Sequence, residues 1–135
     1  MSLLPNTALL GVGALGFLYW ALAMRMSLLR VGGSKGQGQP GSTFERTHTV
    51  QLLTAEWTPW LALMYLYFHF TSAGSGIPLS FWTEVAIIAT AVSRYIFAVR
   101  AFVPQKFAFA VGFPAMILCY SGFLGLVLTI VSRAL

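Results

Sequence analysis

The stretch ERTHTVQLLTAEWTPWLALMYLYFHF, Glu45 to Phe70, is mostly apolar, yet it carries a carboxylate, Glu56, well inside its run. Crossing a bilayer takes about 20 apolar residues, and the stretch is long enough. Glu56 stands eight residues beyond His48, so roughly 12 Å inside at the helical rise per residue. An unpaired charge at such depth costs about 2.5 to 3.5 kcal/mol on insertion scales. The acid therefore needs a partner. Arg94 lies nine residues before the end of a later apolar run at Val103, roughly 13 Å in by the same rise. The two runs enter from opposite sides, so the charges come level. The simplest expectation is a Glu56–Arg94 contact, within the subunit or across an oligomer interface. Such a pair would either fix helix register alone or form the polar floor of a ligand pocket.

The rest of the chain fits this membrane reading. It has 135 residues, of which 58% are hydrophobic and only 8% charged, and a mean hydropathy of +0.80. A soluble domain carries roughly a quarter charged residues. Four runs are long enough to span: about Asn6 to Leu29, His48 to Ser72, Leu79 to Val103, and Phe107 to Ser132. The expectation is an all-α membrane protein, a single four-helix transmembrane domain over residues 1–135. In the first run the bases follow the apolar core, an order wrong for a signal peptide. The Gly-, Ser- and Gln-rich link 30–47 reads as a flexible polar loop. Ser42 or Thr43 at its end caps the next helix, with Glu45 in the first turn. Pro59, one turn beyond Glu56, is expected to kink that helix and widen a cavity beside the acid.

Charge gives the topology. The net charge is +5, but the bases are scattered and form no patch for nucleic acid. Arg25, Arg30, Lys35 and Arg46 flank the first link, and Arg100 and Lys106 flank the third. The positive-inside rule places loops 30–47 and 103–107 in the cytoplasm and both termini on the other face. His48 and His69 fall near opposite membrane faces, so no shared metal site is expected. Cys119, the one cysteine, reads as a buried, inert thiol. Small residues in the last run, Ser121 and Gly125 among them, permit close helix approach. Near the cytoplasmic side, Arg46, His48, Thr49, Gln51, Arg100 and Lys106 can form a basic mouth for an anionic ligand. The plainer alternative is that Arg46, Arg100 and Lys106 snorkel to lipid headgroups.

The segment FERTHTVQLLTAEWTPWLALM resembles the second-helix signature of the MAPEG family, the membrane-associated proteins in eicosanoid and glutathione metabolism. Glu45, Arg46, Val50, Gln51, Glu56, Trp57 and Pro59 match that pattern without a gap. SRYIFAVRAF resembles the third-helix signature through Ser93 and Arg94. The resemblance implies a homotrimer of four-helix bundles, with a glutathione pocket between subunits that faces the cytoplasm. It also implies transfer of the glutathione thiol to lipophilic electrophiles, or peroxidase chemistry. Carried over, Arg46, Gln51, Glu56 and Arg94 line the cofactor pocket, and Arg100 or Lys106 stands nearest the thiolate as the catalytic cation. The chain departs from the family pattern at Thr49 and Leu53, where Arg and Asn are expected, and at Phe97 and Ala101, where Tyr is expected.

Two functions follow. One is a glutathione-dependent transferase or peroxidase with altered cofactor contacts. The other is a non-catalytic accessory or structural subunit of a larger membrane complex, which keeps the bundle and has lost the cofactor. A small transporter would need inverted repeats or paired broken helices, and the sequence has neither.

Overall fold

The computed structural model describes residues 6–33 and 39–135, with only the backbone of Gln105. Four α-helices follow one another: α1 (Thr7–Val31), α2 (Thr43–Ser75), α3 (Phe81–Ala98) and α4 (Gln105–Ala134). A 3₁₀ turn, Val99–Ala101, ends α3. Each start has a local cause. The Ser42 hydroxyl accepts from the Glu45 N–H at 3.1 Å, while the Glu45 carboxylate accepts from the Gly41 N–H. This reciprocal cap starts α2 five residues earlier than the apolar run alone indicates. Part of the expected 30–47 loop is thus helix; its residues 34–38 lie outside the described residues. Ser80 caps α3 in the same way, accepting from the Thr83 N–H at 3.2 Å. Gly76, with φ 65°, ends α2 in the left-handed region that glycine tolerates. Pro104 precedes α4 at a position where its missing N–H costs nothing.

Among the described residues, three helical stretches are long and apolar enough to cross a membrane: Thr7–Val31, Phe81–Ala101 and Lys106–Ala134. Helix α2 is the longest at 33 residues, yet it falls short of that apolarity. Glu45, Arg46, His48, Gln51 and Glu56 fill its first half, and Thr71, Ser72 and Ser75 its end. The expectation of four spans therefore stands for three of the helices, while the second run, α2, is helical but too polar to qualify by composition. Helix α2 runs continuously through Pro59.

The helices pack as two pairs, α1 on α2 and α3 on α4, joined mainly through α1 and α3. One core cluster holds Leu15, Leu61, Tyr65, Phe68, Ile87 and Leu126. A second holds Leu18, Leu22, Val50, Phe97, Ala98 and Ala115. The fully buried Tyr65 ties α2 to α3 through its hydroxyl, which lies 3.1 Å from the Ile87 carbonyl and 2.6 Å from the Thr90 hydroxyl. Tyr95 donates to the Ala14 carbonyl at 2.6 Å and ties α3 to α1.

Close approach of α4 to α3 depends on Gly122 rather than on the expected Ser121 and Gly125. A Cβ on Gly122 would sit 2.6 Å from Thr90 Cγ2 and 3.3 Å from the Ala86 carbonyl, whereas one on Gly125 would meet only Ala86 Cβ at 4.0 Å. Thr90 is fully buried and its hydroxyl is held, so it cannot give way. Gly122→Ala is expected to cost about 1–3 kcal/mol through overpacking. Gly125→Ala should change stability by less than about 0.5 kcal/mol, as for a tolerated position. Unfolding midpoints in mixed detergent micelles check the pair, and equal losses at both positions would contradict this packing.

Candidate functional site

Helices α2 and α4 scarcely touch along their backbones, and side chains bridge the seam between them. Trp57 does most of this, meeting Tyr120 and Phe123 edge-on with ring centroids 5.2 and 5.3 Å away. Three cavities open along the seam. At the polar end a cavity of about 160 Å³ is lined by Glu45, Arg46, Thr49, Val50, Arg100 and Ala108. Deeper, a chamber of about 40 Å³ is lined by Leu53, Trp57, Arg94, Phe97, Met116, Cys119 and Tyr120. Beyond Trp57, an apolar hollow of about 340 Å³ is lined by Glu56, Trp57, Trp60 and Phe123.

The cations are lodged by packing and by backbone carbonyls. Arg46 donates to the Val103 carbonyl at 3.1 Å and to the Thr43 hydroxyl at 3.2 Å, which ties α2 to the turn before α4. Arg25 reaches across from α1 to the Thr47 hydroxyl at 3.3 Å and the Ala101 carbonyl at 3.4 Å, and stacks 3.9 Å over the Phe102 ring. Arg100 passes beside Gly112, where a Cβ would lie 2.7 Å from its Cδ. The Phe97 ring takes two guanidiniums, Arg94 at 4.9 Å and Arg100 at 5.1 Å. Such contacts favour the cation by about 0.5–2 kcal/mol.

The structure thus brings Arg46 and Arg100 together at one mouth, with Arg94 below them. It does not bring the other three sequence candidates there. Lys106 is exposed on the first turn of α4, with its ammonium 5.0 Å from the Phe107 ring. Gln51 is half-buried and lines none of the three cavities. Glu56 is exposed on the outer face of α2. The expected Glu56–Arg94 contact does not form within the chain. Arg94 is 4% exposed, and its Nε and Nη2 have no hydrogen-bond partner. Trp57 lines both the chamber of Arg94 and the hollow of Glu56, so the indole stands between them. Matched depth along two helices fixes a level, not an azimuth, and the azimuths differ.

Sequence reasoning missed the α4 side of the seam. Met116, Cys119, Tyr120 and Phe123 recur at helical spacing beside the buried stripe Ala108, Gly112, Ala115, Cys119. That stripe of small residues was a readable sign that something bulky, here Arg100 and Trp57, lies across it. Glu84 is 2% exposed in the first turn of α3. It lines a separate cavity of about 180 Å³ at the far end, with His69 and Ser72.

Compared with family models, with curated proteins and with solved structures, the chain finds no match.

A buried cation with unmet donors is a stability liability, and replacing such a group by an apolar one of similar size is often neutral or stabilising by about 1–4 kcal/mol. Arg94→Met is therefore expected to unfold at the same or a higher denaturant concentration. A loss above about 2 kcal/mol, the range for breaking a satisfied buried pair, would reveal a strong acceptor on Arg94, such as a carboxylate from a second copy.

Proposed function

We propose that the chain is a MAPEG-like integral membrane protein that binds glutathione in the α2–α4 seam and directs it at lipophilic electrophiles or peroxides. The observation that carries this reading is the meeting of Arg46 and Arg100 at the polar mouth, above the buried guanidinium of Arg94. Two guanidiniums with Thr49 between them suit a peptide carboxylate, which they can grip by charge-assisted hydrogen bonds. Arg100 stands nearest the reacting sulfur, where a cation favours thiolate over thiol. Bound glutathione supplies that thiolate as the nucleophile. The apolar hollow beyond Trp57 receives the lipophilic partner from the bilayer. Arg46, Arg94 and Arg100 remain in this site, while Gln51, Glu56 and Lys106 act only if a neighbouring subunit brings them to it.

The site needs that neighbour. Ligand pockets run to about 300–1,000 Å³, whereas the mouth within one chain offers about 160 Å³. In this reading a homotrimer closes the pocket between subunits. All four helices cross the membrane, α2 shielded by its neighbours, and loops 30–47 and 103–107 face the cytoplasm. Calorimetric titration of glutathione into the purified protein in lipid nanodiscs is the test. Heat is expected at millimolar or lower concentration, with affinity falling about tenfold or more in Arg100→Ala, the loss of one charged hydrogen bond. No heat at millimolar glutathione sinks the reading.

One observation favours the alternative, a non-catalytic subunit of a larger membrane complex. Arg46 already spends two donors on Val103 and Thr43, which makes it a brace as much as a ligand. On that reading native-detergent purification recovers the chain with other membrane subunits rather than as a free homotrimer.

A further inference from the structure

The α2–α4 seam holds a thiol that glutathione binding does not use, that of Cys119. The thiol is free and only 3% exposed. It shares its chamber of about 40 Å³ with Arg94. A water-sized group occupies about 10–15 Å³ by this kind of measure, so there is room for about three or four such groups and little more. The remaining walls include Trp57, Met116 and Tyr120, and no carboxylate lines the chamber. The guanidinium, 4% exposed, presents Nε–H and Nη2–H without an acceptor. Buried donors left unmet are costly, more so when charged. What the chamber lacks is one anionic oxygen, and the sulfur is placed to carry it.

We propose that Cys119 is a peroxide-oxidised thiol whose sulfenate is held by Arg94. The sulfur attacks one oxygen of hydrogen peroxide; the S–O bond forms as the O–O bond breaks. Sulfur is oxidised by two electrons and the peroxide is reduced. The thiol proton joins the departing hydroxide to give water. The water so formed carries the proton of the sulfenic acid out to solvent as hydronium, and the sulfenate oxygen accepts from Nε–H and Nη2–H of Arg94. Access favours a small, uncharged oxidant, because the thiol is buried and its chamber holds only about 40 Å³. Sulfenate is reversible by thiols, so the site would act as a redox mark in the membrane. Nothing in this step requires glutathione to occupy the mouth at Arg46 and Arg100.

The full chain in nanodiscs is treated with hydrogen peroxide, quenched with catalase, then unfolded in SDS with dimedone present. Because Cys119 is the one cysteine, any dimedone adduct reports on it. The adduct is expected in the wild type and is lost when dithiothreitol precedes trapping. Arg94→Met should lower its yield about tenfold, as for removal of charge-assisted hydrogen bonds. In the wild type, tert-butyl hydroperoxide should react far more slowly than hydrogen peroxide, and this comparison stands even if the variant fails to fold. No adduct in the wild type, undiminished trapping in Arg94→Met, or equal rates for the two peroxides would each overturn the proposal.

Discussion

In a chain this apolar, each guanidinium must be lodged where its charge is tolerated, and the half of the bundle that holds the α3–α4 turn is arranged around that constraint. Four arginines crowd the end of α3 and the turn after it. Arg25 comes from α1, Arg46 from α2, and Arg94 and Arg100 from α3 and its 3₁₀ turn. Two are met by carbonyls that the end of a helix leaves free, Ala101 for Arg25 and Val103 for Arg46. Helix C-termini leave such carbonyls without intrahelical partners and carry partial negative charge. The other two lie against the face of Phe97. The turn between α3 and α4 is therefore a collecting point for cations, and three helices are pinned to one another through it.

The same constraint accounts for the open seam. Helix α3 needs close contact with α4, which Gly122 and the small stripe of α4 provide. Helix α1 needs close contact with α2, where a Cβ on Gly11 would lie 2.8 Å from the Tyr65 ring. With both pairs packed tightly, the long side chains Arg94, Arg100 and Trp57 must occupy the space left between α2 and α4. They fill it incompletely, which is why cavities lie there in a row. Packing and site are two consequences of one distribution of small and large residues.

Much of the architecture was legible because it depends on period and composition. Apolar runs gave the four helices to within a few residues, except where a cap decided the boundary: Ser42 with Glu45 extends α2 backwards into what composition marks as loop. The shared level of Glu56 and Arg94 along the bundle was legible too, since it needs only a count of residues, and Trp57 lines the cavities of both. What counting cannot give is rotation about the helix axis in a helix whose polar and apolar residues do not sort into clear faces. Helix α2 is such a helix, with Glu56 exposed beside the half-buried Trp57 and the fully buried Thr54. Hence Arg46 and Arg100 were rightly grouped, while Glu56 was paired with Arg94 across an indole that stands between them. Lys106, exposed on the first turn of α4 beside the Phe107 ring, is not among the residues that line the mouth at Arg46 and Arg100.

Glu56 then raises its own question, and physics narrows the answer. Its surroundings on the outer face of α2 are Trp57, Trp60 and Phe123, none of which carries a charge to compensate a carboxylate. Leu52, Trp60 and Leu63 are all more than half exposed on the same helix. Facing hydrocarbon, the ionised acid would carry the insertion cost of a few kcal/mol with nothing to offset it. Three escapes exist: the residue lies shallow, at headgroup level; it is protonated; or another chain covers it. Reciprocal burial in a symmetric oligomer meets the difficulty at every copy at once, and it covers the exposed aromatic rings in the same step. An acid that points away from its own bundle is thus better understood as a constraint on assembly than as part of a site within one chain. On the proposed glutathione reading, the mouth at Arg46 and Arg100 needs further walls and makes the same demand from the other side of α2.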